Sequence, residues 1–351
     1  MTAENYASYL EKRDSELGWP SKGWYDTQTD ERGARLSPAN AALGDTTPCV
    51  SLYGDSFTFS DEVADNEAWG DVLARHIGCR VDNFGVGGFG TDQALLRMER
   101  HVAQDAALGD VVILSLYPDN LNRIVNQWRH LLSGNQPLGF KPVFAAGPGG
   151  VELQPLFTGD FAAYEALTLD PSTYLTGESY LPEAPGFSRQ MPKSFPYSLT
   201  LLRVAQTIVS QIRSFDAEGY KNLINYPGYY DSKSGVNDNK VEITRFIINR
   251  FADLCAAESK KCGFMLIPDL ELVFQMSRGG EHDLGWVLEA AQERLLTLDA
   301  TTVFAGPAEL CASLTNPDAC HGHFNPTGYS KLAGYVLDSL QKEGWLPATS
   351  E

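Results

Sequence analysis

A serine placed just past a buried apolar run is the first residue in this chain equipped for chemistry. Residues 49–53 read CVSLY, and Gly54-Asp55-Ser56-Phe57-Thr58 follows directly. Gly54 lets the backbone turn, Ser56 sits free of the ladder, and a following helix would aim its first N–H groups at the same spot. A serine nucleophile needs that arrangement, although Gly-Asp-Ser also makes an ordinary turn. A second group is the glycine-rich run Asn83 to Thr91, NFGVGGFGT, whose backbone can approach a ligand closely. It matches G-x-G-x-x-G, so a nicotinamide dinucleotide site has to be weighed. That site requires an acid near the end of the next strand, about 20 residues on. Asp105 has the spacing but falls in a predicted helix, and Asp119 ends the strand but lies too far away. A third group, 116–122 (LYPDNLN), offers Asn120 as an amide donor to an oxyanion or as a plain turn residue. The fourth, 318–329 (DACHGHFNPTGY), supplies Asp318, His321 and His323. An imidazole there could take the serine proton, with a carboxylate fixing its tautomer. His321 and His323 also form an HxH pair, but no third ligand of clear spacing accompanies them, so no metal and no cofactor are expected.

These groups need a scaffold that delivers them to one edge. Short apolar runs at 49–53, 80–84, 110–117, 263–267 and 301–304 predict buried parallel strands. Helical spacing is found at 68–77, 91–107, 241–256 and 326–340, the last with Pro326 in its first turn. Alternation of the two predicts an α/β fold, a three-layer α/β/α sandwich on a parallel sheet of about five strands. Ligands of such sheets sit at the carboxyl ends of the strands, where the first three groups fall. Residues 1–46 do not fit the alternation and read as an extended arm on a single domain, 47–345. Residues 131–240, rich in Gly, Pro, Phe and Tyr, read as an insertion or lid with one helix at 197–215.

Of 351 residues, 45 are Asp or Glu and 27 are Lys or Arg, giving a net charge of −18. With 43% hydrophobic residues the chain can bury a sizeable core. The acidity argues against nucleic-acid partners and against docking on anionic membranes. It also disfavours strongly anionic substrates unless a local cation such as Arg123 offsets the field. There is no run of 18 apolar residues, and the opening MTAENYASYL lacks the pattern of a signal peptide. A cytoplasmic location is therefore expected. The six cysteines show no CxxC, and reduced, partly buried thiols are expected, with a Cys311–Cys320 bridge as the alternative in an oxidising compartment.

Taken in order, the four groups resemble the SGNH/GDSL hydrolases, serine esterases and related acyltransferases named for four separated residues. The likeness covers roughly 47–125 and 241–345. It implies Ser56 as nucleophile and as one oxyanion donor through its own N–H. Gly88 is the implied second donor and Asn120 the third, although the glycine usual before that asparagine is absent. The last block departs from the family pattern of Asp-x-x-His, with Asn two and Gly five residues after the histidine. Asp318 and His321 have the first spacing; His323, with Asn325 and Gly328, has the second. The register of His323 is favoured because HFNPTGY runs straight into the last helix. Cys320 then stands where the family has its aspartate. Asp318 must reach back around a turn, or the serine and histidine act as a dyad. The implied reaction is hydrolysis of a small or carbohydrate ester through an acyl-enzyme. An O-acyltransferase using the same site and a catalytically silent binding protein are the alternatives.

Overall fold

The computed structural model describes residues 1–19, 28–133, 136–181 and 236–346. The strands are β1 (Val50–Tyr53), β2 (Val81–Asn83), β3 (Val111–Leu116), β4 (Val143–Gly147), β5 (Gly150–Gln154), β6 (Lys261–Leu266), β7 (Leu296–Asp299), β8 (Leu314–Asn316) and β9 (His321–Phe324). Five of them form the central sheet in the order β2-β1-β3-β6-β7, every neighbouring pair parallel. Alternation along β3 divides the interior into two layers. Val112, Leu114 and Leu116 join the core under helices Thr91–Ala103 and Val236–Ala257. Val111 and Ile113 join the core under helices Trp69–Ile77 and Pro326–Lys342. A sheet buried on both faces has continuous apolar strands, as β3 has, and its active edge is the one where the strands end. The expected three-layer α/β/α sandwich is therefore the observed fold.

The fifth strand lies earlier than expected. Leu296 to Asp299 pairs with Gly263 to Leu266, whereas Ala300–Val303, overlapping the expected 301–304 strand, is a turn of 3₁₀ helix. The cause is Asp299, whose carboxylate accepts the N–H and hydroxyl of Thr301 and so ends the ladder.

The cysteines correct a second expectation. All six are paired, as Cys49–Cys79, Cys255–Cys262 and Cys311–Cys320. The first pair is 30 residues apart in sequence, yet helix Trp69–Ile77 returns the chain to the start of β1 and brings the Cα atoms to 6.0 Å. Spacing along the chain carried no trace of that return.

The arm is partly helical, with Ala3–Lys12 capped by Thr2 and Pro38–Leu43 capped by Ser37. Asn40 serves as a substitute strand for the exposed side of β2, donating to Val81 O at 2.8 Å and accepting from Val81 N at 3.0 Å. Within 131–240 the described residues form the hairpin β4–β5 and a helix, Phe161–Leu169. Tyr6 of the arm stacks on Tyr164 of that helix at 4.8 Å and donates to Gly159 O. The helix expected at 197–215 lies outside the described residues.

Candidate active site

Ser56 is the first residue of a one-turn helix, Ser56–Phe59, at the carboxyl end of β1. Asp55 caps that helix by accepting the N–H of Phe57 at 3.0 Å. Its other carboxylate oxygen accepts from Asn120 Nδ2 at 2.9 Å and Arg123 Nη1 at 3.4 Å. The residue beside the candidate nucleophile is thereby fixed to the end of β3. Arg123 is also paired with Asp119 at 2.8 Å. Burial opposes the charge on Arg123, but Asp119 and Asp55 outweigh it and raise its pKa. Among the described residues, the Ser56 hydroxyl and the Ser56 N–H have no hydrogen-bond partner.

The glycine loop turns at Val86 to Phe89, where Phe89 N donates to Val86 O at 3.1 Å. Gly88 has φ +80°, a left-handed conformation that favours glycine. Its N–H also has no partner among the described residues, while its carbonyl accepts from Arg129 Nη1 at 2.7 Å. The first glycine of the G-x-G-x-x-G match packs against protein. A Cβ on Gly85 would lie 2.3 Å from Phe59 N and 2.9 Å from Asp55 O. Gly85 thus allows the loop to close on the nucleophile's turn, a sufficient reason for a glycine without any phosphate.

Asn120 is completely buried and fully bonded. Its amide donates to Asp55 Oδ2 and, at 3.2 Å, to Phe89 O; its oxygen accepts from Tyr117 N and Thr91 Oγ1. Both amide hydrogens are engaged, so this side chain ties β3, the glycine loop and the nucleophile turn together.

The two histidines separate. His321 is exposed, opposite Asn316 in the β8–β9 hairpin. His323 turns inward, its ring packed on Phe57 with centroids 4.9 Å apart. Phe57 in turn stacks on Tyr117 at 4.2 Å. The Asn and Gly that follow His323 are explained by the last helix. Asn325 caps it by accepting from Gly328 N at 3.1 Å, and a Cβ on Gly328 would meet Ser313 O at 2.6 Å. Asp318 is exposed and makes no hydrogen bond to either histidine among the described residues. Cys320, three residues before His323, is bonded to Cys311.

The carboxylate beside His323 belongs to Glu62. Its Oε1 lies 3.0 Å from Nδ1, at an angle that falls short of a linear hydrogen bond, and Oε2 accepts from the His323 N–H at 3.4 Å. Burial works against the Glu62 charge, but the Thr315 hydroxyl and His323 outweigh it and hold the carboxyl below the usual range. Asp61, its neighbour, is pushed the other way by burial, with His323 opposing. Sequence reasoning missed Glu62. The only available signal was two acids in a row, six residues after the serine. Among the described residues no three His, Cys, Asp or Glu side chains converge as metal ligands.

No family model matches the chain, and no curated protein matches it. It is similar to solved structures that include a G-D-S-L family protein from Desulfitobacterium hafniense DCB-2. That likeness has 12% identity and a TM-score of 0.36, covering 84% of this chain and 100% of the other. A member of the lipolytic protein G-D-S-L family from Veillonella parvula DSM 2008 is similar at 10% identity and TM-score 0.34, covering 84% and 98%. A protein from Lactobacillus plantarum is similar at 11% and 0.39, covering 85% and 98%. Likeness at this level adds nothing to the geometry above.

Proposed function

We propose that this chain is a serine hydrolase acting on small carboxylic esters, with Ser56 as nucleophile and His323 as general base. One observation carries the reading. At the carboxyl end of β1, the Ser56 hydroxyl and N–H are both without partner among the described residues, and the ring of His323 packs on the very next residue. With Nδ1 facing Glu62, Nε2 is the nitrogen left to serve the serine. Ser56 Oγ and His323 make no hydrogen bond to each other, and catalytic bonds of this kind commonly tighten only in the complex with substrate.

In the proposed reaction Nε2 accepts the hydroxyl proton as Oγ attacks the ester carbonyl. The oxyanion is received by the unpartnered N–H groups of Ser56 and Gly88. Each such donor is worth about 3 kcal/mol in a water-excluded site. The imidazolium then protonates the leaving alcohol, and water enters by the same route to release the acid. Asn120, its amide already engaged, serves here as a brace and not as a third donor. Asp318 finds no support as the acid.

Trapping with a fluorophosphonate tests the reading. Wild type should be labelled on Ser56, and Ser56→Ala should lose both the label and at least about 10³-fold of its turnover of p-nitrophenyl acetate. Equal labelling of the two proteins would sink it.

A further inference from the structure

If His323 is the base, its ring has to be oriented, and its charge balanced, by something other than the residue usual at that point. Cys320 is committed to Cys311, and Asp318 faces solvent. Four separate observations converge on Glu62 instead. Its carboxylate meets both Nδ1 and the backbone N–H of His323. Thr315, on the neighbouring strand β8, donates its hydroxyl to the same carboxylate. Gly322, with φ +102°, leaves the space the carboxylate uses; a Cβ there would lie 3.3 Å from Glu62 Oε2 and 2.1 Å from Thr315 Oγ1. Finally, Glu62 itself holds φ of 70°, a left-handed position that side chains rarely adopt, two residues beyond Ser60, which ends helix Ser56–Phe59 as its left-handed cap. Strain of this kind costs roughly 1–3 kcal/mol per residue and persists where surroundings fix it.

The surroundings do fix it. Arg35, buried, donates to the carbonyls of Phe59, Ser60 and Val63 at 3.2, 3.1 and 2.8 Å. The backbone on either side of Glu62 is thus held by three hydrogen bonds from the N-terminal arm.

We infer that Glu62 is the positioning carboxylate of the site, supplied by the nucleophile's own loop in place of an acid on the histidine loop. It sets the His323 ring with Nε2 toward Ser56 and stabilises the imidazolium formed during acyl transfer. The inference rests on the proposed roles of Ser56 and His323. The other charged groups facing this region are Asp61, with Asp55 and Arg35 acting on it.

The test is Glu62→Gln and Glu62→Asp, assayed on p-nitrophenyl acetate across pH, with thermal unfolding to show that each variant is folded. Glu62→Gln should lower kcat/KM by about 10²-fold, less than for a fully buried acid because the Glu62 side chain is 47% exposed. The acidic limb of its kcat/KM profile should also move to lower pH, because an imidazole beside a neutral amide holds its proton less well. Glu62→Asp should recover part of both effects. Thr315→Val, which frees the carboxylate from its clamp, should move the profile in the same direction by less. An unchanged profile in folded Glu62→Gln overturns the inference, as does a larger loss from Asp318→Asn or Asp61→Asn. Fluorophosphonate labelling separates the two levels. Wild type that is not labelled removes the hydrolase reading itself. Labelled wild type with an unmoved Glu62→Gln profile removes only the role of Glu62.

Discussion

At the scale of single residues, local motifs were legible and partnerships across the fold were not. The turn at Ser56 and the loop at Gly88 could be read because a turn after a strand and a glycine loop before a helix are written in consecutive letters. The N–H groups of Ser56 and Gly88 have no partner among the described residues for local reasons: one opens a helix, the other lies inside a tight turn. Glu62 could not be read, since its partners Thr315 and His323 are more than 250 positions away. Asn120 was found, but with a different task in prospect. Its four hydrogen bonds make two outcomes separable. As a brace, Asn120→Ala removes the acceptor of the Tyr117 N–H and the Thr91 hydroxyl in a dry interior, and one of the donors to the Asp55 carboxylate and the Phe89 carbonyl, which keep Arg123. That should lower unfolding free energy by about 2–3 kcal/mol, read from urea midpoints at unchanged m. As an oxyanion donor it would instead cost 10²–10³ in turnover, roughly, with stability kept. The bonding predicts the first pattern. A stable but slow variant would restore the donor role.

Among the elements, periodicity found the strands at the site and missed one at the far edge. β1 and β3 stand within a residue or so of where apolar runs placed them, because central strands are apolar on both faces; β2, at the near edge, also falls within a residue of its expected place. β7 is half exposed and ends at an aspartate cap, so the β-branched TTV just beyond it imitated a strand. The arm was harder to read, because it works through hydrogen bonds to other segments' backbones. Asn40 covers β2, Arg35 holds the turn after the nucleophile, and neither has periodicity to reveal it. Arg35 therefore yields a prediction about the arm as a whole. Arg35→Met keeps the stem over Phe59 but leaves the Phe59, Ser60 and Val63 carbonyls without their donor. Stability should fall by about 3 kcal/mol. With the loop relaxed, the variant should also show the same shift of the acidic kcat/KM limb as Glu62→Gln, measured well below its melting temperature. Lost stability with an unmoved profile would show that the arm supports the sheet but not the histidine.

For the whole molecule, composition set the class correctly and misjudged the cysteines. Six scattered thiols in an acidic chain with no CxxC suggested a reduced protein. The Cys49–Cys79 pairing depended instead on a helix that returns the chain to its starting edge, a feature of topology and not of spacing, whereas the other two bridges close short local loops. The bridges also bear on the site. Cys311–Cys320 closes the segment that contains β8 and Thr315 and leads within three residues to His323. Loop entropy alone assigns about 3 kcal/mol to that short loop and nearer 4 kcal/mol to the Cys49–Cys79 loop, which spans 30 residues. The two should therefore separate in their effects. Cys49→Ala with Cys79→Ala should lower the melting temperature more, with the kcat/KM profile intact in the folded fraction. Cys311→Ala with Cys320→Ala should cost less stability but more turnover, because Thr315 and His323 lose their shared frame around Glu62. Three bridges also predict that unfolded, unreduced protein titrates no free thiol and that folding needs oxidising conditions. Protein recovered from a reducing cytosol with six free thiols and full activity would show that the bridges are dispensable.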